Sequence, residues 1–162
     1  MADAVPACFD TRLEVHIAAP RAATYAALVE AHAVATWMVP DGMSSHVHAF
    51  EPREGGTFRI SLTYDPPTGI GKTSGNTDTF HGTFVSLVPD RRVVWEVAFE
   101  SADPGMREAM TVTFELADAD GGTRLTAVHA NVPAGVSPAD NELGWRISMG
   151  KLAALVERPS VA

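Results

Sequence analysis

The chain has 162 residues, long enough for one domain built on a single core. With 46% apolar and 20% charged residues, its composition is that of a folded globular protein and excludes a disordered one. Twelve basic against 20 acidic side chains leave a formal charge of -8, which argues against nucleic acid or an anionic membrane as partner, because both select a basic surface.

The opening "MADAVPACFD" has neither a basic leader nor a sustained apolar run, and no stretch approaches the roughly 18 apolar residues of a membrane span. A cytoplasmic protein is expected. Cys8 is the only cysteine, so no internal disulfide can form. Richness in alanine, glycine, arginine and valine fits a bacterial source with GC-rich DNA.

"TRLEVHIAAP" alternates Leu13, Val15 and Ile17 with polar residues, the period of a half-buried strand. Pro20 suits the first turn of a helix, and the alanine-rich run after it predicts one helix to about Ala31 and a shorter one ending near Trp37. Pro40, Asp41 and Gly42 stop the second. The next hundred residues read as strands joined by turns. "SSHVHAFEP" is a short strand, and Gly55-Gly56 signals a turn. "TFRISLTY" then places Phe58, Ile60, Leu62 and Tyr64 on one face. After a loop come "TFHGTFVSLVP" and "RVVWEVAFE", the latter with Trp95, Val97 and Phe99 on one face and Glu96 and Glu100 on the other. "MTVTFEL" turns Met110, Val112, Phe114 and Leu116 inward, and "TRLTAVHA" aligns Leu125, Ala127 and His129. Such regular short strands indicate an antiparallel sheet. A final helix begins with Ser137 as cap and Pro138 in the first position, carries an apolar stripe of Trp145, Met149, Leu152 and Val156, and ends before Pro159.

The loop "DPPTGIGKTSG" contains Gly71-Lys72-Thr73, the ending of a phosphate-binding P-loop. Six positions before the lysine, where that loop needs a glycine amide, stands Pro66, which has no amide hydrogen. No helix is expected after Thr73 to aim amides at a phosphate. The segment reads as a long hairpin loop with a flexible "GIGK" tip able to gate a cavity, and nucleotide binding is not expected.

The order of elements and five local signatures resemble the START-like (SRPBCC) superfamily, in the branch named after the activator of the heat-shock protein 90 ATPase. The signatures are "IAAPRAATYAALVE" with "TWMVPDG", then "FEPREGGTFRI", "FHGTFVSLVPDRRVVWEV", "MTVTFELADADGGTRLTAVHANVP" and "ELGWRISMGKLAALVE". They span about Leu13 to Glu157, so the chain is read as one domain, 1–162, with its core at about 11–158. The resemblance implies an α+β helix-grip fold: a curved antiparallel β-sheet wrapped around a long C-terminal α-helix, with two short helices after strand 1. It also implies an apolar cavity between sheet and helix.

Strand parity makes the walls of such a cavity almost wholly apolar: Phe58, Ile60, Leu62, Phe84, Trp95, Val97, Phe99, Met110, Val112 and Phe114. With Trp37, Tyr64, His129, Trp145 and Met149 they form the expected ligand-binding set. Trp37 and Trp145 could stack on a flat ligand, Tyr64 could orient one, and His129 could anchor it or act as a general base. The same residues would equally suit a closed core. His46 and His48 share a strand face that His81 could approach, but no cysteine or acidic ligand accompanies them, and no metal or cofactor is expected. No nucleophile elbow or serine triad is present, and no catalytic residue is assigned.

The leading expectation is a soluble binding protein for an apolar or aromatic small molecule, monomeric or homodimeric. The second is an interaction protein modulating a chaperone ATPase in a stress response. In the chaperone activator a separate N-terminal domain makes much of that contact, and no counterpart is expected here, so stand-alone activity on the chaperone is not the leading expectation. The third is a cyclase or dehydratase-type enzyme using His129 or Tyr64 for proton transfer.

Overall fold

Seven segments with alternating apolar residues form the strands of one sheet. The computed structural model describes residues 8–39, 42–64, 77–101 and 107–157. In chain order the elements are β1 (Cys8–Ile17), α1 (Arg21–Leu28), α2 (Ala31–Trp37), β2 (Met43–Phe50), β3 (Thr57–Tyr64), β4 (Thr77–Val88), β5 (Arg92–Phe99), β6 (Met110–Ala119), β7 (Gly122–Pro133) and α3 (Pro138–Val156). The strands lie in the order β1-β7-β6-β5-β4-β3-β2, every neighbouring pair antiparallel. Strands β2 to β7 form a meander. β1 and β2 therefore occupy opposite edges, and α1 and α2 carry the chain between them.

Register follows the apolar alternation, because a slip of one residue would turn every side chain to the other face. Leu13 pairs with Ala127 and Val15 with Leu125. Trp95 lies between Phe84 and Val112 on its two neighbouring strands. Register shifts at Phe9/Thr11, Val47/Ala49 and Phe84/Ser86 mark bulges, which bend a strand and increase its twist. The helix α3 packs against β1 and α2. This is the helix-grip architecture, as the resemblance implied.

The sequence suggests a first helix running to about Ala31, but α1 ends at Leu28. Glu30 takes an extended backbone as the cap of α2, and its carboxylate accepts from the amides of His32 and Ala33 at 3.2 and 2.6 Å. A residue that caps the next helix cannot continue the last one. At α3, Ser137 and Pro138 act as expected, with the Ser137 hydroxyl accepting from the Asp140 amide. The hairpin loop and its "GIGK" tip fall on residues 65–76, and Pro159 on 158–162; both lie outside the described residues. The flanks of that loop are antiparallel neighbours, and a strand follows it.

The core is aromatic at its centre. Trp37 of α2 stacks on Trp95 at 6.3 Å, and Phe114 meets both edge-on at 5.9 and 5.1 Å. Phe58 lies 5.1 Å from Trp95, and Phe84 and Phe50 extend the cluster. The Trp37 indole donates to the Ala27 carbonyl oxygen at 2.9 Å, which ties α2 to α1.

Candidate ligand-binding site

Between the sheet and the first half of α3 lies a cavity of about 600 Å³, within the usual range for small-molecule sites. Its sheet walls come from β3 to β7. β3 supplies Leu62 and Tyr64, and β4 supplies Asp78 and Phe80. β5 supplies Val97 and Phe99, β6 supplies Met110 and Val112, and β7 supplies His129. The roof is Val136, Ser137 and the α3 residues Asp140, Asn141, Gly144, Trp145, Ile147 and Ser148. Met38, Met43, Gly135 and Leu143 complete it, and Leu143 is 57% exposed.

Eight of the fifteen residues named from the sequence thus line the cavity: Leu62, Tyr64, Val97, Phe99, Met110, Val112, His129 and Trp145. The other seven are Trp37, Phe58, Ile60, Phe84, Trp95, Phe114 and Met149. They sit in the close-packed core, each no more than 1% exposed. The division runs along the strands. On β5, Trp95 is core and its next same-face neighbour Val97 is wall. On β6, Phe114 is core while Met110 and Val112 are wall. Parity identifies the inward face but not how far along a strand the packing ends.

Three further wall residues carry a signal legible in the sequence. Phe80 shares parity with Phe84, Asp78 shares it with Phe80, and Asn141 stands one helical turn before Trp145. Met38, Met43 and Val136 lie at element ends, where no periodicity marks them.

The polar pole of the cavity is built on His129. The indole nitrogen of Trp145 donates to His129 Nδ1 at 3.0 Å, and the amide nitrogen of Asn141 lies 3.2 Å from the same atom. An indole N–H can only donate, so Nδ1 is the acceptor and the proton resides on Nε2. That nitrogen faces the Met110 sulfur at 3.1 Å. Asn141 also donates to the Thr11 hydroxyl on β1 at 2.9 Å, so one network joins β1, β6, β7 and α3. Burial lowers the His129 pKa to about 4, and the ring is neutral at ordinary pH. With its lone pair engaged by Trp145 and Asn141, the ring presents a donor to the cavity, not a base.

The histidines considered as metal ligands and the two glutamates of β5 and its end lie on the outer face. His46 and His48 are exposed, with rings 4.5 Å apart, and His48 bonds the Ser61 hydroxyl at 2.7 Å. His81 pairs instead with Glu100, which also binds Arg59 through both oxygens at 2.8 and 2.9 Å. No group of three metal-ligating side chains occurs among the described residues. Glu96 is exposed, whereas Glu100 is half-buried in this ion pair, and its hydrogen bond with Arg59 lowers its pKa. No helix among the described residues is long and apolar enough to cross a membrane.

A bent antiparallel sheet, a long closing helix and a cavity between them define the class: a START-like helix-grip domain. The family described as activator of Hsp90 ATPase homolog 1-like protein matches residues 18–157, and the chain belongs to it. Among solved structures it is similar to protein CV1439 from Chromobacterium violaceum, at 30% identity over 93% of this chain and 98% of that one, with a TM-score of 0.83. The AHSA1 protein from Silicibacter pomeroyi shares the fold at 21% identity, TM-score 0.72, covering 91% and 96% of the two chains. A protein from Arthrobacter aurescens shares it at 13% identity and TM-score 0.78, covering 98% and 91%. No curated protein matches the chain.

Proposed function

We propose that this protein binds an apolar small molecule in the cavity between the sheet and α3. The observation that carries the reading is the cavity itself: about 600 Å³ within a domain whose adjoining core is fully packed, bounded mainly by apolar side chains with one ordered polar pole. A ligand burying roughly 250 Å² of apolar surface would gain about 6 kcal/mol before the costs of association, so burial alone supports a Kd no tighter than about 40 μM, and any tighter binding needs the polar pole. The His129 geometry favours binding over the cyclase or dehydratase reading, since the ring offers a fixed donor and no free lone pair.

Native mass spectrometry of protein purified from its own host, against the denatured mass, tests the proposal. An additional few hundred daltons lost on denaturation supports it and yields the ligand. A bare mass, together with no binding of apolar probes up to millimolar concentration, removes it. The family's description supports a second reading, an interaction with a heat-shock protein 90 homologue. A pull-down with a measurement of ATPase rate decides that one.

A further inference from the structure

The polar pole makes a more specific statement about the ligand than its apolarity. Among the cavity's polar side chains, His129 has one ring nitrogen fixed as acceptor by two donors from α3. Two donors hold its Nδ1, so its remaining capacity is one N–H, directed along the wall that Met110 shares. A thioether sulfur is a weak acceptor on a flexible side chain. An oxygen acceptor entering the cavity would form a stronger bond to the same N–H, and the Met110 side chain can change rotamer to admit it.

We propose that His129 Nε2–H is the recognition donor of the cavity, that Met110 occupies it when no ligand is present, and that the ligand is an apolar molecule carrying a carbonyl-type oxygen, a ketone, ester or amide. The proposal rests on the binding reading above and deepens it. Trp145 and Asn141 are positioning residues: they fix the tautomer, so the cavity discriminates in favour of acceptors and against ligands that offer only a donor at that point. The ring's neutrality at ordinary pH serves the same end, since it keeps the pole from selecting carboxylates by charge.

The test uses two probes of one shape, 2-acetylnaphthalene and 2-isopropenylnaphthalene, which differ by a carbonyl oxygen in place of a methylene carbon. Dissociation constants are measured by titration for the wild type, His129→Phe and Met110→Leu. Comparing the alkene-to-ketone ratio of dissociation constants between proteins cancels the different hydration of the two probes. The ratio should fall about fivefold in His129→Phe, the scale of one neutral hydrogen bond. It should rise by a few-fold in Met110→Leu, which conserves volume but removes the competing acceptor. In the wild type, the ¹⁵N resonance of His129 Nε2 should move with the ketone and not with the alkene. A ratio unchanged in Met110→Leu together with an unmoved resonance overturns the proposal even if His129→Phe fails to fold. If both probes bind with one ratio in all three proteins, the cavity reading stands and the role of His129 falls. If neither probe binds up to millimolar concentration, the role of His129 falls, and the cavity reading falls with it where the native mass is also bare.

Discussion

At the scale of single residues, His129 shows how much a neighbourhood adds to a side chain. Its parity with Leu125 and Ala127 is enough to place it on the inner face. Its tautomer depends on Trp145 and Asn141, 16 and 12 positions away, and no local pattern predicts that. Its pH behaviour follows from burial. The native ring has a pKa of about 4 against 6.5 for an ordinary histidine, so between those values the unfolded chain takes up a proton that the folded one does not. Stability is therefore full above pH 6.5 and declines as the pH falls toward 4, by about 3 kcal/mol from this group. Urea unfolding at pH 7, 5.5 and 4.5 should show that decline in the wild type and a flatter profile in His129→Gln. Equal profiles would mean the ring is not neutral in the native state. The Arg59–Glu100 pair is the contrasting case. It lies on the outer face with the Arg59 side chain 46% exposed, so Arg59→Met should shift the urea midpoint only slightly, and the difference should shrink in high salt.

At the scale of elements, two glycines make opposite predictions. Gly82 in β4 faces Phe58 across the sheet, and a Cβ there would collide with that ring and with the Glu96 carbonyl oxygen. Gly82→Ala should lose roughly 2 kcal/mol or more, because both obstacles belong to the packed centre. Gly144 and Gly150 in α3 have nothing within 4 Å of an added Cβ. Each weakens a helix interior without a packing reason, so Gly150→Ala should raise stability by about 0.5–1 kcal/mol, visible in the denaturation midpoint. Gly144→Ala should do the same while narrowing the cavity roof, and a matching loss of probe affinity would mark that roof as part of the site. Every element was legible because period-2 alternation, turn glycines and the Ser137-Pro138 start are local signals. The end of α1 was not, because Glu30 is read as a continuing helix residue until its carboxylate is seen bonding forward to the next two amides.

Across the whole molecule, core and cavity form one continuous inward surface with two different fates. Trp95, wholly buried between Phe58, Phe114 and Trp37, belongs to the stability of the fold. Trp95→Leu should lower unfolding free energy by roughly 2–4 kcal/mol while the folded fraction binds an apolar probe within about twofold of wild type. Leu62, half-buried in the wall, predicts the reverse. Leu62→Trp fills space already empty, so stability should hold and binding should drop at least tenfold. If Trp95→Leu removes binding and Leu62→Trp leaves it unchanged, the cavity is not the ligand site.

Element order and the inward face of each strand are readable from the chain alone, because hydrophobic periodicity and turn chemistry act between neighbours along it. The family is readable from the resemblance of five local signatures. Where close packing stops and the cavity begins is a property of the folded molecule. That boundary depends on how Trp37 from α2 and Trp145 from α3 meet a sheet bent by bulges, and on which side chains fill the space between. The orientation of the His129 ring was decided in the same way: three elements distant in sequence had to converge before one nitrogen accepted and the other was left to donate.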